Sequence, residues 1–148
     1  MLDIREFRDD DLDGIMAVWE PSFRSAHPFL TDEFVASVRS AIPEVFIPNS
    51  KTWVAERDER IVGFMSLLGQ EVGGLFVDPN EFRTGVGQTL LRQACQLHSA
   101  LTVEVFTKND HAVRFYRKFG FQDDSRRTHD ESGFELTRMS LAVTDTLR

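Results

Sequence analysis

Glu71-Val72-Gly73-Gly74-Leu75-Phe76-Val77-Asp78-Pro79 leads, three residues on, into Phe82-Arg83-Thr84-Gly85-Val86-Gly87-Gln88, and this stretch decides how the chain is read. Val72 to Val77 is an apolar run that reads as a strand, closed by Asp78-Pro79. Gly73 and Gly74 side by side within it predict a bulge or a close backbone approach. After the loop, Leu90, Leu91, Ala94 and Leu97 recur at helical spacing. The backbone N–H groups that open a helix bind anions, and Gly85 and Gly87 let phosphate oxygens approach them closely. The same glycines equally describe a tight connection with no ligand. A dinucleotide fingerprint would place glycine at Leu90 and would open a repeated βαβ series, so it fails here even though Glu104 falls at the spacing of a ribose ligand. A Walker loop fails because no Gly-Lys-Ser/Thr occurs.

Upstream, Trp53-Val54-Ala55 and Ile61 to Met65 flank the charged tip Glu56 to Arg60 and predict a β-hairpin, so the decisive strand is the third of a meander. Leu2 and Ile4 alternate with Asp3 and Arg5, a short first strand, because Glu6 and Phe7 break the phase. Behind the Asp9 to Asp11 cluster, Leu12, Ile15, Met16 and Trp19 form a helical stripe, which Pro21 is expected to end or kink. Thr31-Asp32-Glu33 opens a second helix over Phe34, Val35 and Val38, stopped by Pro43. Downstream, Leu101 to Phe106 reads as a strand, Asp110 to Phe119 as a helix with Gly120 at its C-terminal end, and Phe121 to Arg127 and Phe134 to Leu141 as two last strands. The order β-α-α-β-β-β-α-β-α-β-β gives an α+β fold in which an antiparallel meander is followed by one βαβ crossover.

The chain has 148 residues, 41% of them hydrophobic and 28% charged, which fits one soluble domain spanning 1–148. A chain of this size buries about two-thirds of its unfolded surface and so needs no disulfide or metal to make a core. Cys95 is the only cysteine, which excludes an intrachain disulfide and a cysteine-based zinc cage; no metal is expected, and the cytoplasm is the expected compartment. The formal charge of −7 argues against nucleic acid as a partner and suits either a cationic amine or solubility alone. No apolar stretch approaches the roughly 20 residues of a membrane helix, and no apolar leader follows Met1, so neither membrane insertion nor secretion is expected.

A second constellation is Asn109-Asp110-His111-Ala112-Val113-Arg114-Phe115-Tyr116, followed by Phe119-Gly120-Phe121. Asn109 and Tyr116 stand seven residues apart, two turns or about 10.5 Å along a helix, where a long ligand arm can meet both. Tyr116 also reads as a plain core aromatic. Together the two constellations resemble the GNAT superfamily of acyl-CoA N-acetyltransferases. Leu75-Phe76-Val77-Asp78-Pro79 matches its Leu-x-Val-x-Pro strand end, Phe82 to Gly87 its Arg/Gln-x-x-Gly-x-Gly loop, and Asn109, Ala112 and Tyr116 its Asn-x-x-Ala-x-x-x-Tyr helix. One departure is Phe82, where the family has Arg or Gln; Arg83, where glycine is common, is placed to supply the charge.

The resemblance implies an α-β-α sandwich about a mixed, mostly antiparallel sheet and an enzyme that moves an acetyl group from acetyl-CoA to a primary amine by direct attack on the thioester. A non-catalytic acyl-CoA-binding protein of the same fold is the alternative. It implies coenzyme contacts along Leu75, Phe76 and Val77, on the loop residues Phe82, Arg83, Thr84, Gly85, Val86, Gly87 and Gln88, and against Asn109, Ala112, Phe115 and Tyr116. Tyr116 would assist the departing thiolate, and a backbone N–H near Phe76 or Val77 would hold the oxyanion. Glu71 and His27 are the candidate bases, each with a plainer reading: Glu71 as a solvated turn residue, His27 as a capping or surface residue. The acceptor is a small amine, a peptide N-terminus or a protein lysine, and the enzyme a monomer or homodimer.

Overall fold

The computed structural model describes residues 1–148. Its elements in chain order are β1 (Leu2–Glu6), α1 (Leu12–Ala26), α2 (Asp32–Ala41), β2 (Lys51–Arg57), β3 (Arg60–Leu68), β4 (Glu71–Val77), α3 (Val86–Leu97), β5 (Ala100–Phe106), α4 (Asp110–Phe119), β6 (Gln122–Thr128) and β7 (Glu135–Ala142). The seven strands form one sheet in the order β1-β2-β3-β4-β5-β7-β6, in which only β4 and β5 run parallel. One face of the sheet packs against α3 and α4 through a cluster that includes Leu90, Leu91, Leu101, Val103 and Tyr116. The other packs against α1 and α2 through Ile15, Trp19, Phe23, Val35 and Phe64. The result is the expected α-β-α sandwich with an α+β element order.

Two prolines act differently from one another. Of the end or kink expected at Pro21, the end does not occur: α1 continues to Ala26. An interior proline costs about 3 kcal/mol or more in a helix. Trp19, Ser22 and Phe23 are buried on either side of it, with the Trp19 and Phe23 rings stacked at 4.9 Å, and that packing holds the turn helical. Pro43 does follow the end of α2, but the chain then makes a wide turn, Ile42–Phe46, with the Ile47 N–H donating to the Ile42 carbonyl at 2.9 Å.

The glycine pair in β4 makes a bulge. Ser66 pairs with Gly74 but Leu67 pairs with Val72, so Gly73 is the extra residue. Strand residues alternate between faces, and the extra residue resets that alternation, so that Val72 and Leu75 both pack toward α3. Pairing between β4 and β5 is confined to Glu71 with Thr102 and Val72 with Val103. Beyond the bulge the two strands part, and the sheet carries a wedge-shaped gap that opens toward their C-terminal ends.

Candidate active site

The loop after β4 is pinned from below and open above. Asp78 accepts a hydrogen bond from the Asn80 amide at 2.9 Å and pairs with Arg60 at 3.1 Å, while Arg57 pairs with Glu81 at 3.4 Å. The β2–β3 hairpin therefore holds the loop's first turn. The chain then passes through the left-handed region at Arg83 (φ +67°) and at Gly85 (φ +88°). A non-glycine residue there costs about 1–2 kcal/mol, so Arg83 sits in strain where glycine would not. The backbone N–H groups of Arg83, Gly85, Val86, Gly87 and Gln88 have no acceptor in the chain, and no acidic side chain stands in the first turn of α3. Unpaired N–H groups around a positively biased helix end form an anion cradle.

The two glycines of the loop have separate jobs. A Cβ on Gly85 would meet nothing within 4 Å, so its conformation is what requires glycine. A Cβ on Gly87 would stand 3.0 Å from the Phe115 ring and 3.8 Å from Val77. Gly87 therefore lets α3 approach α4 closely, and Phe115 fills that space. Phe82 is 40% exposed, and its ring stacks on His111 of α4 at 5.4 Å.

Within the gap, β4 has spare backbone groups. The Asp78 N–H donates to the Val62 carbonyl at 2.8 Å. Because an antiparallel ladder repeats every two residues, the Gly74 and Phe76 amides turn toward β3 and those of Leu75 and Val77 turn into the gap. Of the two positions named for an oxyanion donor, Val77 has its N–H free and Phe76 does not.

Tyr116 lies on α4 and is 4% exposed, held edge-on between Phe115 and Phe121 at 5.2 Å each. Its hydroxyl bonds no atom of the chain, yet it is not among the fully enclosed orphan groups. The ring is a core aromatic and its oxygen keeps an opening, so both sequence readings describe part of it. Burial pushes the phenol well above its ordinary pKa. The proton stays on oxygen at any neutral pH, which suits a hydrogen-bond donor and makes full proton transfer harder.

Asn109 is the N-cap of α4. Its side-chain oxygen accepts from the Ala112 amide at 3.2 Å, and its side-chain nitrogen lies 3.4 Å from His27 Nε2. His27 caps α1, with its backbone N–H donating to the Phe23 carbonyl at 3.0 Å. The same carbonyl lies 2.8 Å from Nδ1. A carbonyl only accepts, so Nδ1 carries the proton and Nε2 offers its lone pair toward Asn109. The imidazole is enclosed by Phe23, Phe29 and Phe106 at 4.3, 5.8 and 5.3 Å, and this burial lowers its pKa. It is neutral at pH 7 and stands by the open end of the gap.

Glu71 is elsewhere. It occupies the closed end, opposite Thr102, half-buried and with its side chain in no hydrogen bond or ion pair. Leu75 is four residue steps further along, about 13 Å of extended strand. His27, Asn109 and the free amides are thus brought to one end of the gap, and Glu71 is not. The rings of Phe29 and Phe106, which pack on His27, and that of Phe134, which packs on Phe29 with Lys108 4.9 Å above it, had no signal in the sequence beyond being apolar.

Comparison with known proteins agrees with this geometry. The family model for the acetyltransferase (GNAT) domain matches residues 48–123. The chain belongs to the GNAT acetyltransferases. It is 35% identical over 144 residues to the peptidyl-lysine N-acetyltransferase YjaB of Escherichia coli K12, covering 96% of this chain and 97% of that one. The solution structure of apo YjaB from Escherichia coli superimposes with a TM-score of 0.87 at 31% identity, over 97% of this chain and 99% of the other. A putative streptothricin acetyltransferase from Bacillus anthracis, solved in complex with acetyl coenzyme A, shares the fold with a TM-score of 0.68 at 18% identity, over 97% and 98% of the two chains. The chain is therefore an acetyltransferase. No helix in it is long and apolar enough to cross a membrane.

Proposed function

We propose that this acetyltransferase takes its acetyl group from acetyl-CoA and passes it to the side-chain amine of a lysine in a peptide or protein. The observation that carries the reading is the gap between β4 and β5, which has the Leu75 and Val77 amides unpaired at one wall and leads to the amide cradle of Arg83 to Gln88. Residues of α4 flank this path, where Asn109, Ala112, Phe115 and Tyr116 are the proposed contacts. The likeness to proteins named peptidyl-lysine N-acetyltransferases supports lysine as the acceptor. The single, buried Cys95 supports a reducing, cytoplasmic setting.

The chemistry starts from a charged amine. A lysine of pKa about 10.4 holds its proton at pH 7 against a gap of roughly 4.6 kcal/mol. In the proposed mechanism His27 Nε2, neutral and unprotonated, accepts that proton directly or through one water. The free nitrogen lone pair then attacks the thioester carbon. The carbonyl π pair moves to oxygen, where the Val77 N–H is the proposed oxyanion donor. Collapse re-forms the carbonyl and expels the coenzyme thiolate, which the Tyr116 hydroxyl steadies with a hydrogen bond. The second proton of the former ammonium passes from the nitrogen to the thiolate, leaving a neutral amide and the free thiol. Glu71 is kept as the second candidate base, and its position at the closed end weighs against it.

The deciding experiment measures free coenzyme thiol released from acetyl-CoA in the presence of lysine peptides, with mass spectrometry of the peptide. An added acetyl group on lysine is the expected result. Binding of acetyl-CoA with no thiol release on any amine would support the non-catalytic reading instead.

A further inference from the structure

On the α1/α2 face of β4 lies a cavity of about 390 Å³ that no step of the reaction uses. Trp19 and Phe23 of α1, Ile42 and Phe46 of the wide turn, Phe64 of β3 and Phe76 of β4 make its apolar wall. No ionisable side chain lines it. Its few polar side chains are already tied to the protein. Ser66 bonds Thr52 at 2.9 Å, Ser50 donates to the Phe46 carbonyl at 2.6 Å, and Asn49 to the Val45 carbonyl at 2.7 Å. Gly73 and Gly74 form the side nearest the bulge, and the Phe76 ring occupies the place of a Gly74 side chain, 2.8 Å from where its Cβ would be.

Three large apolar residues of the wall, Val45, Phe46 and Leu68, are 50%, 46% and 47% exposed. Exposed apolar side chains around a concave, uncharged wall mark a binding site for an apolar group. The volume lies at the small end of ligand cavities, which start at about 300 Å³.

Resting on the lysine reading above, we propose that this cavity receives an uncharged, apolar side chain of the acceptor peptide, within two residues of the modified lysine. The lysine amine itself does not enter, because the wall has no carboxylate and is mostly apolar, so little in it replaces the water around an ammonium. The position of the flanking residue follows from the strand. Gly74 and Phe76 border the cavity, while Leu75 between them directs its amide into the gap. A peptide whose lysine reaches the gap from this face has its next Cα atoms only 3.8 Å apart along the chain. One or two steps bring a neighbouring side chain over Gly74 and Phe76, the part of the cavity wall that flanks Leu75. Specificity for apolar flanks is therefore built into the wide turn after α2 and the end of β3.

The test is a set of lysine peptides that differ only at the flanking positions, with Phe, Leu, Gly or Asp placed one and two residues on either side. The expected result is a kcat/KM for the best Phe or Leu peptide about tenfold or more above its Gly counterpart, carried mostly by KM, with the Asp peptide lowest. Phe46→Asp and Leu68→Asp, both at exposed positions, should each cut the Phe-to-Gly preference ratio about tenfold. Retained circular dichroism and coenzyme affinity would show that the variants are folded. Equal kcat/KM for all flanks, or an unchanged ratio in both variants, overturns the proposal while leaving lysine acetylation standing. Refusal of every peptide together with acetylation of a free arylalkylamine overturns the lysine reading as well.

Discussion

The two faces of the sheet solve different problems with different materials. On the α3/α4 face the working groups, the Tyr116 hydroxyl apart, are backbone amides placed by glycine, by a left-handed turn and by a bulge. On the α1/α2 face they are side chains, a histidine in a box of phenylalanines and a cavity lined by aromatic and aliphatic groups. A backbone device needs few residue types and leaves a short, spaced motif. A packed device is satisfied by any apolar residue of suitable shape, so it leaves none. The comparison predicts that changes to the working side chains, Tyr116 of α4 included, alter the reaction and its selectivity, and that changes to the backbone devices alter coenzyme affinity and stability.

The largest effect is expected at His27. Removing a general base typically costs about 10²- to 10⁴-fold, so His27→Gln should lower kcat/KM by at least about a hundredfold at pH 7.5. Glutamine keeps a group able to meet Asn109 and the Phe23 carbonyl. Stability supplies an independent reading of the same residue. The unfolded chain takes up the histidine proton near pH 6.5, while burial holds the folded pKa lower. Between those two values the unfolded state binds more protons, so the stability His27 contributes is complete above about pH 6.5 and is lost as pH falls below it. Asp11, held low by Arg5, and Glu104, held low by Arg127, lose theirs only further into acid. Denaturant titrations at pH 7.5 and 5.5 should show a smaller loss in His27→Gln than in the wild type. Full turnover in that variant would remove His27 from the mechanism and leave it as a cap.

Tyr116→Phe comes next, with kcat reduced about a hundredfold, the lower end for an acid catalyst. The raised phenol pKa argues for hydrogen bonding rather than complete proton transfer. Since the hydroxyl bonds nothing in the chain, its removal should leave thermal stability and coenzyme affinity close to wild type. Pre-steady-state thiol release separates this from a binding defect.

How far the sequence carried the reading follows the same division. The helix over Asp110–Phe119 lies where Ala112, Val113, Tyr116 and Phe119 place it, and Gly120 ends it with φ +130°. The last two strands are each displaced by one residue from their expected spans, to Gln122–Thr128 and Glu135–Ala142. The bulge at Gly73 is where the glycine pair puts it. The helix does not end at Pro21, because the Trp19 and Phe23 packing, which local propensity does not register, carries it through. Gly85 and Gly87 look alike in a motif, yet one answers to a backbone angle and the other to Phe115, a contact between elements 28 residues apart. His27 could be singled out, but its tautomer depends on a carbonyl four residues back, and its enclosure on Phe106. The cavity joins α1, the wide turn, β3 and β4, and no spacing along the chain encodes that meeting.

On the backbone face, Arg83→Gly should act on two quantities in opposite directions. Glycine adopts φ +67° without a Cβ penalty, which offsets about 1–2 kcal/mol of strain. Part of that gain returns as extra freedom in the unfolded chain, so a net stabilisation of about 0.5–1 kcal/mol is expected. The same change removes a cation from beside the cradle. Exposed charge contacts are worth about 0.2–1 kcal/mol, so acetyl-CoA affinity should weaken only a few-fold. Calorimetry and thermal unfolding of one variant read both. Loss of affinity by a hundredfold would mean that the arginine, not the amides, holds the phosphates.

The smallest effect is expected at Glu71, and it tests where the boundary between the two faces runs. Glu71 is at the closed end of the gap, paired across the sheet with Thr102, about 13 Å of strand from Leu75. Proton transfer needs heavy atoms within about 3.2 Å or one intervening water, and that separation exceeds both. Its side chain makes no hydrogen bond or close ion pair and acts on the Arg127 cation only from a distance, so Glu71→Gln should change stability little and leave kcat/KM within about twofold at every pH, the latter expectation resting on its distance from the gap. A pH–rate profile that loses its acid limb in Glu71→Gln but keeps it in His27→Gln would reverse the assignment. It would place the proton route along the floor of the gap by a chain of waters, and would make the α1/α2 face a specificity surface alone.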